Sequence, residues 1–356
     1  MRTFHEAISS AHRIHRRRLI GGAATGLLLA ALPLGRLAHP GDAANQGPST
    51  VAGQQQPDEV ALAERWVVPD DLPLPPDVTA ASLFVGAIES GRVLLARNAT
   101  IGRAPASTIK IAIALTVVDV LSDPDQSVVV EPEDEVDRWV YSNAQLEAGD
   151  RITIRDLLYG LLLPSGNDAA RTLARVGGLT LDPDSDDPTA TFLDTVNGKV
   201  ASLGATATTV LHPAGVDTDG QVTTARDLAL LMAALLDDEL LASIVGTYDY
   251  EMNVAGPAAR TVLLTNTNQL LGSAGILGGK TGTTEAAGAC LVTAVLSASG
   301  ERVITVVMGC DQEVDADGLL VADHRYDDTR ALIQATVAPE PLSSMAPPPI
   351  VDPVPA

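Results

Sequence analysis

The sequence predicts an α+β fold, an antiparallel sheet flanked by helices beside a mostly helical lobe. Apolar runs with strand character lie near both ends of the candidate domain, from Ala81 to Asn98 and from Ala259 to Cys310. Between them the pattern is largely helical, and the turn signals that separate neighbouring strands suit hairpins rather than crossovers. Strands split by so long a helical insert form one sheet packed with helices next to a helical lobe, with a cleft where the two meet.

The elements follow in order. "SLFVGAIESGRVLLARN" is two apolar runs around Glu89-Ser90-Gly91, a hairpin signal. "APASTIKIAIAL" then opens an apolar helix, with Pro105 suited to its first turn. "SVVVEPEDE" reads as a short strand, and "DRITIRDLLYGLLLPSGNDAARTLARV" as a short strand and then helices broken at Pro164-Ser165-Gly166. "TARDLALLMAALLDDELLASIV" is helical. "ARTVLLTNTNQLL", "GACLVTAVLSAS" and "ERVITVVMGC" return to strands, and "RYDDTRALIQATV" is a last helix. No internal repeat is visible.

The flanks read differently. Arg16-Arg17-Arg18 precedes a short apolar run and then small residues at Gly41 and Ala43, the layout of an export signal or N-terminal anchor over residues 1–44. The arginine cluster loosely resembles a twin-arginine signal. Residues 45–78 read as a disordered linker, 79–338 as the folded domain, and the Pro-rich 339–356 as a disordered tail. "LTLDPDSDDPTAT" reads as a solvated loop.

Composition narrows the function. A formal net charge of -22 argues against nucleic acid or an anionic membrane surface as main partner, since either needs a basic face. At 3% aromatic residues, a base-stacking or aromatic-cage protein is not expected. Cys290 and Cys310 flank a hairpin turn at "SASGE"; a tight turn at Ser299-Gly300 would place 290 opposite 309. A disulfide and two separate buried thiols both fit that register. Neither cysteine has metal-site spacing, and no cofactor is implied.

Chemistry points to three short motifs: Ser107-x-x-Lys110, Ser165-Gly166-Asn167 and Lys280-Thr281-Gly282. Each alone has an ordinary reading, as a helix cap, a turn and a hairpin loop. Together, in this order and at these element boundaries, they suit a serine acyltransferase. On a helix, positions three apart share a face, so Lys110 can reach the Ser107 hydroxyl. Burial in "IKIAIAL" and a second cation, Lys280, both favour a neutral Lys110 able to take that proton. Lysine occurs only at 110, 199 and 280, and arginine cannot replace a base of this kind. Ser165 is placed to relay the proton and Asn167 to orient a substrate amide. Lys280, Thr281 and Thr283 line the opposite wall, where the Thr283 N–H is a second oxyanion donor. His212 precedes Pro213 in a loop, and no His–Asp pairing is apparent.

On these residues the chain resembles the serine D-alanyl-D-alanine carboxypeptidases, the low-molecular-mass penicillin-binding proteins of the β-lactamase/transpeptidase-like fold. The resemblance runs from about Ala81 to Val337 and includes "RAPASTIKIAIAL", "LYGLLLPSGNDAARTLA", "LGATATTVLHPAGV", "TTARDLALL" and "GGKTGTTEAAGACLV". It implies that Ser107 is acylated, Lys110 is its base and Ser165 and Asn167 form the second wall. Lys280, Thr281, Gly282 and Thr283 are then the substrate strand, and Arg325 holds the substrate carboxylate. Class A β-lactamases usually carry Ser-Asp-Asn and a Glu-x-x-Leu-Asn motif, which is not found between Asn167 and Lys280. The implied substrate is an extracytoplasmic peptidoglycan stem peptide ending in D-Ala-D-Ala, with β-lactams as covalent inhibitors. Membrane attachment would come only through the N-terminal segment. A β-lactamase-like hydrolase and a non-catalytic wall-binding scaffold are the alternatives.

Overall fold

A computed structural model describes residues 77–315 and 320–337, together with 63–64, 66–69, 72 and 75. The expected export segment and the Pro-rich tail lie outside the described residues.

The main sheet contains β1 (Ser82–Ala87), β2 (Val93–Arg97), β7 (Ile276–Thr284), β8 (Gly288–Leu296) and β9 (Arg302–Cys310). Its order is β2-β1-β9-β8-β7 and every pairing is antiparallel, so β7 is an edge. Side chains alternate between its faces with the period of a strand. Leu83, Val85, Leu291 and Val307 join one apolar cluster with Leu332 and Ile333 of α7 (His324–Thr336). Phe84, Val292, Ile304 and Val306 face the larger cluster shared with the helical lobe.

That lobe is built round α1 (Lys110–Val120), whose residues are buried from Lys110 to Val117. A helix apolar on all sides belongs inside a protein, and α1 is covered by its neighbours. These are α2 (Ile154–Leu162), α3 (Asn167–Leu181), α4 (Pro188–Ser202) and α5 (Ala225–Asp237). The short α6 (Glu239–Val245) follows α5. Thr153, Asp187, Thr224, Asp238 and Asp323 accept backbone N–H bonds at the starts of α2, α4, α5, α6 and α7, which stops each helix where its polar cap falls. Three two-stranded ribbons complete the fold: β3 (Ser127–Val129) with β4 (Arg151–Thr153), β5 (Asp249–Val254) with β6 (Arg260–Thr265), and β10 (Gln312–Val314) with β11 (Leu320–Asp323).

Several details differ from expectation. The stretch expected as a solvated loop contributes the end of α3 and the start of α4, with Pro188 at the first turn. β5 is an added strand. The β8–β9 connection is not a two-residue turn: Ser297 N–H bonds Glu301 O at 2.8 Å, and the register runs Leu291↔Val307 with a bulge between Ala289 and Leu291. Of the two readings of the cysteines, separate buried thiols hold: Cys290 and Cys310 are free and lie in different clusters. Within the expected linker, Trp66 is fully buried against Phe84 and donates its indole N–H to Ala87 O at 3.2 Å. Arg226 donates to Trp66 O at 2.9 Å, so this part of the linker is pinned to the domain.

Candidate active site

Ser107 lies in a 3-10 turn, Ala106–Ile109, that runs straight into α1. In a 3-10 turn residues three apart eclipse one another, which sets Lys110 Nζ 2.9 Å from Ser107 Oγ. Ser107 does not cap the helix; its Oγ lies 3.3 Å from Ala214 O. Ala106 is held at φ 48, a left-handed conformation uncommon for a residue with a side chain.

The break between α2 and α3 brings in the second motif. Ser165 has φ 65, and Gly166 N–H closes the turn on Gly160 O at 2.8 Å. A Cβ at 166 would lie 2.7 Å from that carbonyl, so the turn needs glycine there. Asn167 then begins α3 with its Oδ1 accepting from Lys110 at 2.8 Å. The third motif lies inside β7, the edge strand, where it runs beside the 3-10 turn. Lys280 Nζ donates to Ser165 Oγ at 2.8 Å and to Thr281 O at 2.9 Å, while Lys110 approaches the same hydroxyl at 3.5 Å. Gly282 lets β7 close on the 3-10 turn, since a Cβ there would come within 2.9 Å of Ser107 N.

Both lysines are buried, and burial disfavours their charged forms. Lys110 is held well below the usual lysine range by burial first and by the Lys280 charge second, with Asp168 pulling the other way. Lys280 is brought down to about 7 by burial and by nearby Arg325.

Arg325, at the start of α7, is 5% exposed and mostly occupied by protein. Its Nε bonds Asp323 at 2.7 Å, Nη1 donates to Gly282 O and Cys290 O, and Nη2 donates to Thr283 Oγ1 at 2.6 Å. It therefore grips β7 and β8 from beneath and meets the cleft through Thr283. All nine expected residues lie in one contiguous cluster: Ser107, Lys110, Ser165, Asn167, Lys280, Thr281, Gly282, Thr283 and Arg325.

Three participants had no signal in the motifs. The Ala214 carbonyl accepts from Lys110 at 2.8 Å. His212 Nδ1 accepts the Ala214 N–H at 3.1 Å, and this imidazole is kept neutral down to about 4 by burial and by the Arg171 and Lys110 charges. Asp168, next to Asn167, accepts backbone N–H bonds from Ala144, Leu146 and Ala169 and ties segment 144–146 to α3. A backbone carbonyl carries no residue signature, so only the "HPAG" turn, whose Gly215 has φ 79, hinted at this wall.

A buried amine whose proton is weakly held, a hydroxyl within hydrogen-bond reach of it and clustered donors at a sheet edge define a site able to transfer acyl groups through serine. Comparison with known proteins gives the family. The profile described as D-alanyl-D-alanine carboxypeptidase matches residues 71–312, and the chain belongs to this family of serine peptidases. D-alanyl-D-alanine carboxypeptidase DacB2 of Mycobacterium tuberculosis is 35% identical over 67% of this chain and 78% of its own. DacF of Bacillus subtilis is 31% identical over 62% of this chain, which spans 55% of that relative. The Streptomyces K15 DD-transpeptidase structure superposes with a TM-score of 0.65 at 26% identity, covering 74% of this chain and 98% of that one.

Proposed function

We propose that this protein removes the C-terminal D-alanine from peptidoglycan stem peptides ending in D-Ala-D-Ala, through an acyl-enzyme on Ser107. One observation carries the assignment of roles. Lys110 Nζ is 2.8 Å from Asn167 Oδ1 and 2.8 Å from Ala214 O, two oxygens that only accept. A neutral amine gives both of its hydrogens to them, and its lone pair is left facing Ser107 Oγ. Lys110 is thus the base.

Ser107 Oγ attacks the carbonyl carbon of the penultimate D-alanine as its proton passes to Lys110. The oxyanion that forms is met by the backbone N–H groups of Ser107 and Thr283. The C–N bond then breaks, and the departing D-alanine amine takes up the proton held by Lys110, relayed through the Ser165 hydroxyl. Water enters, gives a proton to Lys110 and attacks the ester carbonyl; as the ester C–O bond breaks, Lys110 returns that proton to Ser107 Oγ and the shortened peptide leaves as the acid. Lys280 and Thr283 hold the terminal carboxylate, and Arg325 sets the Thr283 hydroxyl from below and adds positive charge. The β7 edge pairs with the extended peptide.

β-Lactams place a strained amide in the same position and acylate the same serine. The polymer substrate lies outside the cytoplasm, in keeping with export through residues 1–44.

Release of D-alanine from a free peptide ending in D-Ala-D-Ala tests the reading. Release is expected from wild type, none from Ser107→Ala, and none from a peptide ending in L-Ala. Rapid penicillin turnover with no D-alanine release would instead make the protein a β-lactamase-like hydrolase.

A further inference from the structure

Five Tyr, three Phe and two Trp are all the aromatic residues of the chain, yet the tip of one loop spends two of them on solvent. Trp139 is 96% exposed, Val140 65% and Tyr141 41%. The tip is held in place by its own polar bonds. Asp137 Oδ1 accepts the Trp139 N–H at 2.9 Å, Asp137 O accepts from Tyr141 at 2.9 Å, and Asn143 Nδ2 donates to Tyr141 O at 2.9 Å. A preorganised loop that presents an indole to water is a contact surface rather than a folding element.

Its position says which contact. Ser142 O accepts the Asn167 N–H at 2.9 Å, and Asn167 is the residue whose side chain holds Lys110. Trp139 is three positions from Ser142, a reach of about 11 Å at most. The tip therefore lies within that reach of the backbone bonded to Asn167, beside the site proposed to take the stem peptide. In the polymer, what continues beyond the stem peptide is the glycan strand to which it is attached.

We propose that the Trp139–Tyr141 tip is a docking platform for that glycan strand, the indole stacking on the C–H face of a sugar ring; this rests on the proposed substrate. An aromatic face carries partial negative charge and attracts the polarised C–H groups of a pyranose, while Tyr adds a hydroxyl at the rim. Charge favours a neutral saccharide over an anionic lipid surface. Glu133, Glu135, Asp137 and Glu147 flank the tip, and Arg138, the one base within residues 131–150, is paired with Glu147 at 2.8 Å. Arg171, Arg175 and Arg260 reach this segment from α3 and β6, on Glu135 O, Asp134 and Asp150, yet its acidic side chains still outnumber the arginines, and a surface of that sign repels acidic headgroups.

Two measurements test it on the full chain. In the first, kcat/KM is compared for a free D-Ala-D-Ala peptide and for uncross-linked glycan strands carrying the same stem peptide. Trp139→Ala is expected to stay within about twofold on the free peptide and to fall at least fivefold on the strands, through KM, with Trp139→Tyr recovering most of the loss. Equal effects on both substrates, or none on either, would overturn the proposal. In the second, tryptophan emission is followed while peptide-free glycan strands are added. A shift in wild type that Trp139→Phe lacks is expected; a shift with anionic vesicles but not with glycan would assign the tip to a membrane and overturn it. A wild type inactive on the free peptide would count against the substrate assignment instead, leaving the emission titration to decide the platform.

Discussion

Lys110 is surrounded by oxygens, and the balance of charge around it sets its working pH. Lys280 pushes its proton off and Asp168 pulls the proton on. Replacing Asp168 with Asn removes the negative charge, so the Lys110 pKa falls and the acid limb of acylation against pH moves to lower pH. The same change leaves buried N–H groups short of acceptors and is expected to cost about 1–3 kcal/mol of stability. A pH–rate profile with a urea titration checks both, and an acid limb that moves upward would refute the charge argument. His212 acts at one remove, through the carbonyl two residues on. His212→Ala should slow acylation about tenfold, the worth of one hydrogen bond, while His212→Asn, able to accept the same N–H as an Asx turn, should keep most of the rate. Measured acylation rates of the two variants separate that role from mere packing.

At the scale of elements, the edge strand and the 3-10 turn have to meet almost without a gap. Gly282→Ala would drive a methyl against Ser107 N and Ala106 Cβ, each within 3.0 Å. Displacing either element by a fraction of an ångström should lower acylation on the order of 100-fold with penicillin as the probe. A near-normal rate would mean that β7 and the turn are less tightly coupled than their spacing implies. Much of this element could be read from sequence, because glycine between two functional residues on a strand has few other uses. α4 and β5 could not. "PTATFLDTVNGKVAS" buries only Phe192, Leu193, Val196 and Val200 and has a weak helical period, and "DYEMNV" is a ribbon strand that faces solvent on alternate residues. The choice between a disulfide and two separate thiols stayed open for a local reason: one bulge in β8 shifts the register, and the two thiols join clusters on opposite faces of the sheet. Ser107, Lys110, Ser165, Asn167 and Lys280 were legible as candidates because the proposed chemistry belongs to side chains; the Ala214 carbonyl was not, because any residue could supply it.

For the whole molecule, the site has a stability consequence. Lys280 titrates near 7 in the fold against 10.5 for the free side chain. Between those values the unfolded chain binds a proton that the folded chain does not, so this lysine makes stability rise with pH across that window. Below about 7 both states are charged, and the fold carries a buried ammonium. Lys280→Met should therefore be more stable than wild type at pH 6, with the advantage shrinking toward pH 10; urea midpoints measure it, and a difference independent of pH would contradict the assignment. Trp66 ties the segment before β1 to the sheet, so Trp66→Ala should cost about 3–5 kcal/mol while acylation by the folded fraction is unchanged. That result would set the anchor on β1 apart from the proposed catalytic cluster.

The central claim is that Lys110 activates Ser107 in a site that recognises penicillin. Intact mass after brief exposure to benzylpenicillin, with Ser107→Ala alongside, tests it most directly. The account predicts a single adduct of the drug's mass on wild type and none on the variant. Folded wild type that stays unmodified while the drug remains intact, or an adduct that survives in Ser107→Ala, would contradict it.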